Sequence, residues 1–385
     1  MSDPPNRVLI TSASIGAGHV AAGRALESAF GELGAETLHV DLLDFTTVPF
    51  RRLYRQAYFD LVRNAPDLVD WLGKRLDRGP VRTRMRHLRL RSRLTRLISY
   101  HLPRTIGSYR PDLMVHTHFL PGEILSTVGH RLPAPQAVVV TDFAAHRLWL
   151  QPEVSRYFVA AEEVKAHLVS LGTDSGRVRV TGIPIDHRFG RLGSKLEARK
   201  RLRLLPDRDM LLVMAGGMSA QVLGAMLARL RGLRCHLHAV VICGRTPELQ
   251  QLARVSVADS NGLVTFDVRG FTDDIPGLMT AADLVLGKPG GLTTSEALAA
   301  GLPFAVVDPY PLQEEANANY LLEHGAGMRI DPLSTLELKL NRFFGDPQRR
   351  AAMSEAARRL GRPDAAERIA RDLTDDKPLS RRPKQ

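Results

Sequence analysis

The stretch Arg7-Val-Leu-Ile-Thr-Ser-Ala-Ser-Ile-Gly-Ala-Gly-His-Val-Ala-Ala-Gly-Arg-Ala-Leu26 begins with a short apolar run, passes through a glycine turn and becomes an amphipathic helical pattern. That order, strand then glycine loop then helix, is the opening unit of a doubly wound α/β fold. The same grammar returns at Met210–Ala220, where the turn is Ala215-Gly-Gly-Met-Ser-Ala220, and at Leu284–Pro303, where it is Lys288-Pro-Gly-Gly-Leu-Thr-Thr-Ser-Glu296. Further short apolar runs predict strands near Thr37–Val40, Leu113–His116, Ala137–Thr141, Tyr157–Ala160 and Val178–Thr181. In the second half they fall near Ala239–Cys243, Val264–Asp267 and Phe304–Val307. Alternation of this kind predicts parallel sheets with helices on both faces, built twice.

The 385 residues exceed one hydrophobic core and suit two domains of roughly 150–200 residues. With 44% hydrophobic and 24% charged residues the chain is globular rather than disordered or fibrous. Cys235 and Cys243 are too few for a disulfide framework or a four-ligand zinc site and suit a reducing compartment. The apolar stretch Val8–Ile10 is too short for a signal peptide. The longest uncharged run, Met210–Ala228, has the length of a membrane span, but Gly216-Gly217, Ser219, Gln221 and Gly224 make it a strand, a turn and a helix. The basic stretch Lys195–Arg208, which follows Thr181-Gly-Ile-Pro184, is the natural junction between domains.

Each glycine loop carries chemistry. Gly16 and Gly18 allow close backbone approach to a ligand, and a helix amino terminus offers free N–H groups and a positive dipole end. Gly16-x-Gly18-x-x-Ala21 formally satisfies the dinucleotide fingerprint, with Asp41 where a ribose-binding acid would lie. The five residues Thr11 to Ile15 before Gly16 are too many for that tight turn. His19, where loop becomes helix, has an intrinsic pKa of about 6.5; it reads either as a general base or as a side chain that caps the helix or bonds the loop.

In the third unit Gly290 and Gly291 make the turn, Thr293 or Thr294 can cap the helix, and Glu296 in its first turn complements the dipole or accepts ribose hydroxyls. Gly216-Gly217 suits a diphosphate but lacks the P-loop lysine. Asp273-Asp274 is not a spaced metal motif, His116-x-His118 lacks a third ligand and reads as structural, and Gly217-Met-Ser219-Ala-Gln221 lacks the last glycine of a serine elbow.

Taken together these segments resemble glycosyltransferase family 28, in its branch of monogalactosyldiacylglycerol synthases and processive diacylglycerol glucosyltransferases. Ser12–Ala22 resembles the branch's amino-terminal signature, and Val139–Trp149 with Tyr157–Lys165 its mid-domain segment. Thr181–Ile185 resembles its interdomain junction, and Gly270–Ile275 with Lys288–Glu296 through Gln313-Glu314 its donor site. The resemblance implies the GT-B architecture, two doubly wound parallel-sheet domains facing a cleft. It divides the chain into an acceptor-side domain at 1–185 and a donor domain at 186–373, whose last helix returns to the first domain, with a disordered tail at 374–385.

It further implies a UDP-sugar donor and inverting transfer, with no metal or other cofactor. Carried over residue by residue, Glu296 takes the ribose hydroxyls and Gly270-Phe271 the uracil. Gly216, Gly217, Thr293 and Thr294 face the diphosphate, and Gln313 and Glu314 contact sugar or ribose. Gly290, Gly291 and Met218 complete the donor loops, with the role of Met218-Ser219 open because this loop is poorer in glycine than its relatives'. His19 matches the proposed base or acceptor support, and Gly16, Gly18, Asp142 and Trp149 match the acceptor side.

The net charge of +12 has an address. Residues 51–110 hold sixteen Arg and Lys against four Asp, which leaves 37 bases and 37 acids elsewhere. On a helical reading Arg82, Arg86, Arg89, Arg93 and Arg96 share one face, although Arg84 and Arg91 fall opposite. The expectation is a basic insertion resting on an anionic membrane that carries a lipid acceptor, which places the enzyme in the cytoplasm on the inner face of the cell membrane. A solvated basic helix is the plain alternative. A soluble acceptor or N-acetylglucosaminyl transfer would use the same fold. A nucleic-acid-binding protein is the rival of another class, disfavoured because no base-reading module is apparent.

Overall fold

A computed structural model describes residues 5–14, 16–46, 102–126, 134–258, 260 and 262–375. The five arginines assigned to the membrane, and all but 374 and 375 of the tail, lie outside the described residues. The chain divides into two compact units, 1–187 with 311–313 and 363–385, and 188–310 with 314–362.

The first unit is built on strands β1 (Arg7–Ser12), β2 (Glu36–Asp41), β3 (Leu113–His116), β4 (Gln136–Val139), β5 (Val154–Val159) and β6 (Val178–Val180), all parallel, in the order β2-β1-β3-β4-β5-β6. Val8, Leu9 and Ile10 are all fully buried, as expected for a strand covered on both faces. Helix α1 (Ala17–Glu32) turns Ala22, Ala25, Leu26, Ala29 and Phe30 onto the sheet, a spacing that keeps one stripe apolar. The same core takes Ile369, Ala370 and Leu373 from helix α13 (Ala365–Asp375), the last described element. Asp372 of α13 pairs with Arg156 on β5 and Arg179 on β6.

The second unit holds β7 (Asp209–Met214), β8 (Leu237–Ile242), β9 (Val264–Arg269), β10 (Leu284–Gly287), β11 (Phe304–Val306) and β12 (Gly327–Arg329), parallel, in the order β12-β11-β10-β7-β8-β9. Eleven of the twelve strands among the described residues coincide with apolar runs expected from sequence. The twelfth, Gly-Met-Arg, is too short and too polar to register as one. Glycine suits the crowding there, since a Cβ at Gly327 would sit 3.0 Å from the Phe304 carbonyl oxygen and from Leu321 Cβ. The run Met210–Ala228 divides into β7 and helix α6 (Ala220–Leu230), and among the described residues no helix is long and apolar enough to cross a membrane.

One expectation is corrected. The basic stretch Lys195–Arg208 is no linker. Its first half forms helix α5 (Lys195–Arg201), opened by a Ser194/Glu197 capping box and folded onto the second unit. Arg199 is buried there, bonding the Ala281 carbonyl at 2.9 Å and Asp283 at 2.7 Å, and Lys195 also reaches Asp283 at 2.7 Å.

In both sheets the order in which strands are added reverses once. In the first, β1 runs between β2 and β3; in the second, β7 runs between β8 and β10. Loops diverge at such switch points, and crevices open beyond the carboxyl ends of the two strands. The glycine loops after β1, β7 and β10 therefore all stand at switch points.

Candidate active site

In the first unit three strand ends converge on His19. The residue sits in the first turn of α1, whose N-cap is Gly16 in extended conformation. Its Nδ1 lies 2.9 Å from the carbonyl oxygen of Thr117, which follows β3, and 2.8 Å from the hydroxyl of Thr141, just past β4. The Thr117 hydroxyl in turn donates to the His19 carbonyl at 2.8 Å. A carbonyl oxygen only accepts, so Nδ1 carries the proton and the lone pair is on Nε2. Burial lowers the pKa of the ring below 6.5, partly opposed by the Thr117 bond, so the imidazole is neutral at pH 7. Of the two readings open for His19, a loop bond and a base, the structure supplies the loop bond through one nitrogen and leaves the other nitrogen for chemistry.

A second ring stands against the first. His118 meets His19 edge-on with centroids 4.7 Å apart, stacks on Phe119 at 4.3 Å, and lies 6.2 Å from Trp149. Its Nδ1 accepts the Leu120 N–H at 3.1 Å. Burial, reinforced by His19 and His146, holds its pKa well below 6.5. His116 points elsewhere, bonding Thr11 at 2.6 Å and Gln136 at 2.9 Å, with its pKa down at about 4 through burial. The two histidines of His116-x-His118 thus occupy separate buried niches.

Trp149 lies in a 3-10 turn, is 3% exposed and packs on Phe119 and His146, so it shapes this corner from beneath. Asp142 follows Thr141 and is half-buried. Gly16 is exposed and Gly18 half-buried. Asp41, the acid of the dinucleotide alternative, accepts from Ser14 N at 3.1 Å and Leu43 N at 3.0 Å and is committed to holding the loop.

In the second unit the loop after β7 exposes Gly216 and Gly217, the latter at φ +79°, a left-handed conformation natural to glycine. Ser219 caps α6 by accepting from Val222 N at 3.2 Å. The side chain of Met218 packs into the hydrophobic core, which leaves its backbone as the part that faces the loop. Next to Gly270, Phe271 is 53% exposed, with the Arg245 guanidinium 4.2 Å above its ring.

After β10 the turn Lys288–Gly290 enters helix α9 (Gly291–Ala299) with Gly290 as N-cap and no side-chain cap. The expectation that Thr293 or Thr294 caps the helix is therefore corrected, because the helix begins earlier. This also moves Glu296 out of the first turn, into the second, where it is half-buried. Thr294 is fully buried with no partner for its hydroxyl among the described residues, which removes it from the surface of the loop, whereas Thr293 is partly exposed.

A lattice of bonds joins these loops. Lys288, 7% exposed, reaches the Asp308 carboxylate at 2.9 Å and the Asp308 carbonyl, and its ammonium stands 3.6 Å from the Tyr310 ring centroid. The Tyr310 hydroxyl donates to the Gly217 carbonyl at 3.2 Å, and Tyr310 N donates to Glu314 at 2.6 Å. Glu314 stands in the first turn of helix α10 (Gln313–Glu323), and burial raises its pKa against the pull of Tyr310 N–H and Lys288. Asn317 of α10 donates to the Pro289 carbonyl at 2.9 Å. Gln313, at the start of α10, is half-buried.

Sequence reading missed Thr117, Thr141 and Tyr310. Threonines after strands and a tyrosine in a proline-rich loop carry no signal in spacing; only contact across the sheet shows their use.

Comparison with known proteins finds matches to both halves of the chain. Residues 19–185 match the family model "Monogalactosyldiacylglycerol (MGDG) synthase", and residues 210–369 match "Glycosyltransferase family 28 C-terminal domain". A relative named processive diacylglycerol beta-glucosyltransferase from Bacillus mycoides is 28% identical over 385 residues, covering 94% of this chain and 92% of its own. One of the same name from Staphylococcus saprophyticus is 29% identical, covering 69% and 67%. Among solved structures, Acinetobacter baumannii MurG superposes with a TM-score of 0.61 at 18% identity, covering 96% of this chain and 99% of its own. Anabaena Alr3699/HepE in complex with UDP-glucose does so at 0.58 and 15%, covering 96% and 99%. These likenesses show the GT-B fold. With two family models matched in order along most of its length, the chain belongs to glycosyltransferase family 28, its first half of the monogalactosyldiacylglycerol synthase type.

Proposed function

We propose that the protein is an inverting glycosyltransferase that moves a hexose from a UDP-sugar to the hydroxyl of a diacylglycerol-type lipid. The observation that carries the reading is His19, an uncharged imidazole with Nδ1 engaged and Nε2 bare at a switch point. Nε2 takes the proton of the acceptor hydroxyl; its oxygen attacks the anomeric carbon, and the sugar–diphosphate bond breaks with both electrons leaving on UDP. One displacement inverts the configuration. Family membership and the names of the relatives support diacylglycerol as acceptor.

In the second unit the exposed backbone of Gly216 and Gly217, the amino terminus of α6, and Gly290, Gly291 and Thr293 are assigned to the diphosphate. Phe271 with Gly270 takes the uracil, Glu296 the ribose, and Gln313 and Glu314 the sugar side. The charge of the leaving diphosphate falls to these backbone groups rather than to a metal. Activity unchanged in EDTA is the expected result, and a loss restored by Mg²⁺ would overturn that assignment.

Gly16, Gly18 and Asp142 are assigned to the acceptor side. We place the enzyme peripherally on the inner face of the cell membrane, on the strength of the charge confined to residues 51–110. Replacing Arg82, Arg86, Arg89, Arg93 and Arg96 by Gln should release it from anionic vesicles; unaltered sedimentation would remove the membrane claim.

The deciding experiment is mass spectrometry of products from the full chain incubated with diacylglycerol and UDP-glucose, UDP-galactose and UDP-N-acetylglucosamine together. A glycosyl-diacylglycerol of inverted anomeric configuration is the expected product. Transfer only to a soluble acceptor from a cell extract would replace the acceptor, and no UDP release with any acceptor would end the reading.

A further inference from the structure

The base reading of His19 leaves one question that the site itself answers: what fixes which nitrogen is bare. Among the described residues the Thr117 carbonyl, the Thr141 hydroxyl and the ring of His118 face the imidazole. No carboxylate stands against Nδ1 among the described residues, so the usual device of an acid behind the imidazole is replaced by two neutral oxygens.

Thr141 is the less obvious of the two. It is buried, lies 122 residues from His19 in sequence, and arrives at the end of β4, two strands from β1 in the sheet. Its hydroxyl sits 2.8 Å from Nδ1 and 3.5 Å from the Thr117 carbonyl, so it accepts from the ring while its own proton points to the carbonyl. A β-branched side chain has few χ1 states, which makes it a stiff support.

We propose that Thr141 is a positioning residue for the transfer: with the Thr117 carbonyl it holds His19 as the Nδ1–H tautomer and directs the bare Nε2 at the acceptor hydroxyl. When Nε2 takes that proton the ring becomes an imidazolium with both nitrogens protonated. The Nδ1–H bond to two oxygens then strengthens because the donor is charged. This support is largest in the state that forms during transfer, so it acts on kcat more than on KM. The inference rests on His19 being the base.

Thr141→Val keeps shape and removes the hydroxyl; Thr141→Ser keeps the hydroxyl. With UDP-glucose and dioleoylglycerol, Thr141→Val should lower kcat about tenfold with KM for UDP-glucose unchanged, and Thr141→Ser should recover most of the loss. An independent readout needs no turnover. Long-range ¹H–¹⁵N correlation spectra of histidine-labelled full-length protein should show His19 protonated at Nδ1, and in Thr141→Val a mixture of tautomers. Should the valine variant fail to fold, Thr141→Ala serves in its place. Protonation at Nε2 in the unaltered protein, or a folded Thr141→Val with unaltered kcat and tautomer, would overturn the proposal. Loss of activity in His19→Gln beside a normal Thr141→Val would reject Thr141 alone, whereas normal activity in both would reject the base as well.

Discussion

Thr141 Oγ1 lies 2.8 Å from His19 Nδ1, and the Thr117 carbonyl meets the same nitrogen at 2.9 Å. Three loops that are remote in sequence meet at one imidazole because β1, β3 and β4 are neighbours in the sheet. The chemistry assigned to His19 depends on this meeting, and several measurements follow from it and from its counterpart in the second unit.

His19→Ala should reduce turnover by about 10²- to 10⁴-fold, the usual contribution of a general base. Its affinity for UDP, measured by calorimetry, should be unchanged. In the parent enzyme the depressed pKa of His19 puts the acid limb of kcat/KM below pH 6.5, since burial disfavours the protonated ring. An acid limb above pH 7 would contradict that environment.

Tyr310→Phe removes the hydroxyl that tethers the Gly217 carbonyl. One neutral hydrogen bond is worth about 1 kcal/mol, so the Kd for UDP should rise roughly fivefold while the melting temperature stays close to the parent's. An unchanged Kd would show that the glycine loop needs no latch.

His116 is held neutral by burial, with its pKa at about 4 against 6.5 when exposed. A histidine whose folded pKa is lowered gives stability that is present above pH 6.5 and is lost as pH falls toward 4, because the unfolded chain binds the proton first. The contribution at stake is on the order of 3 kcal/mol. Denaturant titrations at pH 7 and pH 4.5 should show the parent losing more stability than His116→Gln across that interval; equal losses would locate the pH dependence elsewhere.

Ile369→Ala opens a cavity where α13 packs on the sheet of the first unit, at a fully buried position. The expected cost is about 2–5 kcal/mol of unfolding free energy. A change within about 0.5 kcal/mol would mean that α13 is not an integral part of that core.

The sequence by itself determined the fold class and the loops. Short apolar runs such as Val8–Ile10, closed by a glycine turn and followed by a helical pattern, read as covered strands, and the paired glycines after β7 and β10 mark turns where backbone can come close to a ligand. It also located the net charge, because counting needs no geometry. It misjudged what depends on where a helix begins: Gly290 rather than a threonine caps α9, and Lys195–Arg201 is a docked helix because Asp283 waits 88 residues away to receive Lys195.

Only the tertiary structure decided which side chains serve His19 and which serve Gly217. Thr117, Thr141 and Tyr310 act through single hydrogen bonds, and a hydrogen bond needs two atoms within about 3 Å at the right angle. Residue type and local spacing set neither across a hundred residues of chain. Strand order brings these loops together, since it decides which strand ends are neighbours, and packing within the loops then sets the distance and the angle.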